Sequence, residues 1–112
     1  MSQPRRNLDD TLDLTLTRRL AEIVAGAPST EGELRLLVEQ GEALERWLAA
    51  SLQASEARLG TLAAEPTAEV AEMASELRRA ERLRVELHEV RATLAALDAR
   101  ARALRGEWLR RE

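Results

Sequence analysis

Apolar residues recur in steps of three and four at Val70, Met73, Leu77, Ala80, Leu83, Leu87, Val90, Leu94, Leu97, Ala101, Leu104 and Trp108. That spacing draws one sticky stripe along a helix. Between Thr67 and Glu112 there is no proline and a single glycine, Gly106, so the stripe predicts one unbroken helix over 67–111. At 1.5 Å per residue it would be roughly 65 Å long, far beyond an average globular helix, and it needs a partner to cover the stripe.

A second stripe supplies one. Leu34, Leu37, Gly41, Leu44, Leu48, Leu52, Ser55, Leu59 and Leu62 keep the same steps and predict a helix over 31–63, with Gly41 and Ser55 as places where another backbone can approach. Gly26-Ala-Pro-Ser-Thr30 precedes it. Glycine ends one helix, proline forbids its continuation, and Thr30 with Glu33 fits a capping box that opens the next. Before this break, Leu8, Leu12, Leu16, Leu20, Ile23 and Val24 share one helical face, giving a helix over 8–25 that opens near Asn7 with an acid, Asp10, in its first turn. Residues 1–6 then read as a disordered basic tail. Thr11 to Thr17 also alternates in the manner of a half-buried strand, but no second strand exists in the chain to pair with it, so helix is the preferred reading.

The other break, Ala64-Glu-Pro-Thr67, is short, with Pro66 and Thr67 suited to opening a helix. Short connections leave helices antiparallel, so the expected fold is an all-α, coiled-coil-like hairpin in which facing residues have numbers summing to about 131, with the N-terminal helix docked on it. On one flank this register pairs Arg35 with Asp98, Glu42 with Arg91, and Glu45 with His88 or Arg84. All three couples are complementary, which favours this register over a slipped one. The other flank is more apolar, and the N-terminal helix is expected to cover it, with Leu20 near Leu36, Leu16 near Gln40 and Ala43, and Leu8 or Leu12 near Trp47.

Composition narrows the function classes. The 112 residues make a single domain over 7–112, with a thin core and little room for an enclosed active site. Absence of cysteine removes disulfides, thiolate chemistry and cysteine zinc sites and suits a cytoplasmic protein. No run approaches about 18 apolar residues and the first residues lack an apolar core, so neither a membrane span nor a signal peptide is expected. Every basic residue is arginine, which reads as the coding bias of a GC-rich bacterial genome before it reads as a choice of bidentate contacts.

Three kinds of chemistry compete with plainer readings of the same residues. Glu39–Glu42, Glu42–Glu45, Glu69–Glu72 and Glu86–Glu89 have the spacing of helical magnesium ligands, but no Glu-x-x-His accompanies them, and the hairpin register sets Glu42 and Glu45 on the flank opposite Glu86 and Glu89. Arginine-paired, solvated acids are preferred, with a carboxylate metalloenzyme as the third-ranked reading. His88, the only histidine, lies on a flank with no nucleophile beside it. The arginines of the last helix are interrupted by acids, have almost no aromatics available for stacking and sit in a chain of net charge −3, so nucleic-acid binding ranks second.

The expectation is therefore a non-enzymatic interaction module, an adaptor, small chaperone or assembly factor, with no cofactor, metal or small-molecule substrate. It would bind a second copy or another helical protein by burying helix against helix. The register leaves the last turns of the long helix, around 101–109, beyond the start of its neighbour, so the expected partner-binding residues are Leu97 at the edge of that overhang with Ala101, Leu104, Arg105, Trp108, Leu109 and Arg111, and Leu97, Leu104, Trp108 and Leu109 as anchors. Trp47 is expected to cover the first helix instead.

Overall fold

The computed structural model describes the backbone of residues 3–111 and the side chains of residues 14–110. It contains three α-helices: α1 (Gln3–Val24), α2 (Glu31–Ala64) and α3 (Val70–Arg111). Among the described residues there is no strand, and Thr11 to Thr17 is helical. α2 and α3 form the antiparallel hairpin, and α1 packs on both, more extensively on α3. The molecule measures 68 × 28 × 18 Å, its long dimension set by the 42 residues of α3. No described helix is long and apolar enough to cross a membrane.

Two of the helix boundaries differ from expectation. α1 takes in residues 3–6, which the sequence reading gave to a tail; Pro4 falls in the first turn, where a missing N–H breaks no helical bond. At the hairpin tip, Pro66 and Thr67 do not open α3. They form a turn closed by the Ala68 N–H on the Glu65 carbonyl at 3.2 Å, and the first helical bond of α3 runs from the Met73 N–H to the Glu69 carbonyl at 3.1 Å.

The α1–α2 break behaves as its residues dictate. Gly26 has φ +110°, a conformation that a side chain would strain. Its N–H bonds to the Ile23 carbonyl and the Ala27 N–H to the Glu22 carbonyl, each at 3.0 Å, which is the paired closure of a Schellman cap. Thr30 then caps α2 by accepting the Glu33 N–H on its hydroxyl at 3.1 Å. The reciprocal half of the capping box is absent, because the Glu33 carboxylate faces α1 and accepts from Arg19 Nε at 2.5 Å.

Two apolar clusters fill the seams. One joins all three helices through Leu20, Ile23, Leu34, Leu37, Leu97, Ala101 and Leu104. The other closes the hairpin's middle with Leu48, Leu83 and Leu87. Between them α1 enters the groove between α2 and α3 rather than lying on the α2 flank. The groove buries Leu20 and Ile23 against two helices at once, and Gly41 provides the room. A Cβ at that position would stand 2.6 Å from Leu94 Cδ2 and 3.8 Å from Leu20 Cδ1. Leu36 and Trp47, the expected cover for α1, consequently stay in solvent. The expected positions of Leu8 and Leu12 lie outside the described side chains.

Gly60 lies inside α2, and a Cβ there would meet nothing within 4 Å. Gly60→Ala should therefore raise stability by about 0.5–1 kcal/mol through helix propensity alone, measured by urea denaturation followed by circular dichroism. A destabilised variant would mean that the α2 tip is not helical in solution.

Candidate interaction surface

The hairpin register decides which residues remain available to a partner. Ser55 meets Glu76, as a sum of about 131 requires. Farther from the tip, Glu45 meets Arg91 at 3.9 Å and Glu31 meets Arg105 at 3.6 Å, where the rule gave α3 numbers about five lower. The longer tip turn moves the centre of the hairpin later in the sequence, and the reach of arginine adds the rest. α2 therefore starts nearly level with Arg105, and the expected overhang shrinks to about the last two turns.

Most of the expected partner residues lie inside the molecule or at its own helix contacts. Leu97 is 0% exposed, and Ala101 and Leu104 are buried with it in the three-helix cluster. Trp108 is half-buried against the same cluster, and Arg105 is engaged with Glu31. These residues hold α1 to the hairpin. Leu109, at 73% exposure, is the one expected anchor left fully in solvent, and the Arg111 side chain lies outside the described set.

The expected flank pairs are re-dealt rather than lost. Arg91 takes Glu45 instead of Glu42. Arg84 bridges Glu81 at 2.5 Å and Glu56 at 3.3 Å. Asp98 accepts from Arg102 one turn along α3, so Arg35 shares a groove with Asp98 without pairing to it. α1 is tied to the start of α2 by Arg19, which donates to Glu33, to Glu22 at 3.2 Å and to the Pro28 carbonyl at 3.3 Å. That hydrogen bond from Arg19 holds the Glu33 carboxyl below the usual glutamate range.

The acidic pairs do not converge. Glu42 lines the groove beside Asp98 and Arg105, whereas Glu86 and Glu89 rim a separate cleft of about 480 Å³ floored by Leu20, Leu44, Leu48 and Val90. Among the described residues no three metal-ligating side chains cluster. His88 is exposed, and the Glu45 expected beside it faces Arg91.

What stands open is the outer face of α2. Leu36 is 53% exposed and Trp47 56%. Eleven residues of α-helix return almost to the same azimuth, so the two side chains point the same way about 16 Å apart. Gln40 and Ala43 lie between them, and Ala50 and Ala54 extend the line, all exposed. Leu36, Gln40, Ala43, Trp47, Ala50 and Ala54 follow the four-three step of a coiled-coil seam without one charge. α2 thus carries two seams, one facing α3 and α1 and a second facing solvent. Leu36, Gln40, Ala43 and Trp47 are the apolar flank expected beneath α1; with α1 in the groove instead, that flank stands open, and Ala50 and Ala54 lengthen it.

Comparison of the chain with protein-family models gave no match. Comparison with curated proteins gave none either. No solved structure matched.

Proposed function

We propose that the protein is a non-enzymatic helical interaction module, an adaptor, small chaperone or assembly factor of a bacterial cytoplasm, whose working surface is the outer seam of α2. The observation that carries this reading is an exposed tryptophan and leucine aligned on a charge-free helical stripe, beside a core that is already closed. Tryptophan contributes disproportionately at interfaces, and an uncharged stripe with one charged edge is a surface another amphipathic helix can cover. Tip-to-end, the hairpin presents that stripe on a rigid support.

Nucleic-acid binding is the weaker reading. Arg79, Arg84, Arg91, Arg102 and Arg105 each lie within 4.0 Å of a carboxylate, which reduces the positive charge available to phosphates.

The test is affinity capture from the native host with wild-type and Trp47→Glu baits, with light scattering of the purified chains. A partner or self-assembly should be present with the wild type and weakened by about tenfold or more in the variant. A wild-type monomer that retains nothing would overturn the proposal.

A further inference from the structure

We infer that the occupant of the outer α2 seam is the same seam of a second copy, laid antiparallel about a two-fold axis near Gly41 and Glu42. The inference rests on the interaction reading above and adds the partner and its orientation. Its basis is the charge along one edge of the stripe.

With Gln40 and Trp47 as the a positions and Leu36 and Ala43 as the d positions, the residues before each a position, Glu39 and Arg46, occupy successive g positions. Both are exposed, and neither has a partner among the described residues. In an antiparallel pair of helices related by a two-fold axis, the same edge of each lies side by side, so g meets g. Setting Leu36 against the partner's Trp47 then sets Gln40 against the partner's Ala43, small against medium, and brings Glu39 beside the partner's Arg46. Symmetry repeats each contact, giving two apolar Leu–Trp contacts and two opposite-charge pairs from one short stretch. A parallel pair does not achieve this. There g faces e, and the e residue opposite Glu39 is Leu44, which lines the cleft under α1. A stripe whose apolar ends and edge charges are complementary to their own reversed copy is what an isologous contact requires, and α1, seated on the other side of Leu44, leaves that face open.

Charge exchange tests both the partner and the direction. Glu39→Arg makes this edge wholly basic and Arg46→Glu makes it wholly acidic. Light scattering over a concentration series should find the wild type at twice the 12.5 kDa chain mass. Trp47→Glu should raise the dimer dissociation constant by at least tenfold. Each single charge variant should also weaken the dimer, a one-to-one mixture of the two should recover it, and the double exchange should restore wild-type behaviour. Circular dichroism should match the wild type throughout, since all three positions are exposed, which separates lost association from lost folding.

A wild-type dimer indifferent to Trp47→Glu, or a mixture no tighter than its components, would overturn the inference. A monomeric wild type that still captures a different protein through Trp47 would overturn the second copy while leaving the interaction reading intact. A monomer that captures nothing would overturn both.

Discussion

Leu97→Ala should cost about 2–5 kcal/mol of folding stability, toward the upper end of that range, because the side chain is wholly enclosed where α1, α2 and α3 meet. Truncation removes three carbons' worth of contacts and leaves a void lined by Leu20, Ile23, Leu34 and Leu37. Those neighbours sit on different helices, so the void can close only if α1 shifts as a whole, and partial relaxation is what makes the cavity term large. Small domains have about 5–15 kcal/mol in total, so the variant stands near the edge of folding. Urea denaturation read by circular dichroism measures the loss. Leu109→Ala, one turn beyond the cluster and exposed, should stay within about 0.5 kcal/mol of wild type. If Leu97→Ala instead kept wild-type stability and abolished partner capture, Leu97 would be the surface anchor that the sequence pattern suggested, and the packing described for α1 would be wrong.

That contrast identifies what periodicity carries and what it leaves out. The stripes on α2 and α3, the antiparallel hairpin and the docking of a first helix were legible because a three-four step admits one buried face per helix. Stripe spacing alone could not place α1, since Leu20 and Ile23 fit a flank or a groove equally well by pattern; the missing quantity was the depth provided by Gly41 opposite Leu94. Nor could it fix where α3 ends relative to α2. A shift of the tip turn by a few residues converts Ala101 and Leu104 from an overhang into a core, and Pro66-Thr67 is equally good as a turn or as a helix start. The candidate surface was lost to the same error, since assigning Leu36 and Trp47 to α1 hid the second seam of α2.

One seam position on α3 went to an acid instead of a leucine. Leu77 continues the three-four step but is 52% exposed, and Glu76 lies in the seam at 7%. A strict heptad-like step and a helix of 3.6 residues per turn drift apart over 42 residues, so the buried line moves by one position toward the tip. The register rule contained this pairing, because the number that faces Ser55 is 76.

Ser55→Ala should move the acid limb of the stability profile to higher pH. The Ser55 hydroxyl donates to Glu76 Oε2 at 2.5 Å, Arg58 Nη1 donates to Oε1 at 3.0 Å, and Arg79 Nε lies 3.9 Å from Oε2. The Ser55 hydrogen bond is the chief reason that the Glu76 carboxyl lies below its ordinary value, acting against desolvation, which raises it. A carboxyl whose folded pKa is depressed adds stability above its unfolded value of about 4.3, and that stability is lost as pH falls through the folded value. Removing the hydroxyl raises the folded value toward the unfolded one, so the variant is less stable at neutral pH and its acid loss is smaller and complete at higher pH, whereas Arg58→Ala, whose side chain is mostly exposed, should move it less. Urea midpoints between pH 2 and 7 read the shift, and a Ser55→Ala profile superimposable on the wild type would refute the assignment. Replacing both groups, Ser55→Ala with Glu76→Leu, should keep or raise the midpoint, because a buried polar pair is matched in stability by apolar packing. What the double variant should lose is register. A seam of leucine and alanine accepts neighbouring alignments equally, whereas a buried carboxylate is satisfied only when Ser55 faces it. Spin labels on cysteines placed at exposed Gln53 and Arg78, in a chain with no native cysteine, should give one narrow distance in the wild-type background and a broadened or doubled distribution in the double variant. A single narrow distance in both would mean that the leucine stripes fix the hairpin alignment without the Ser55–Glu76 pair.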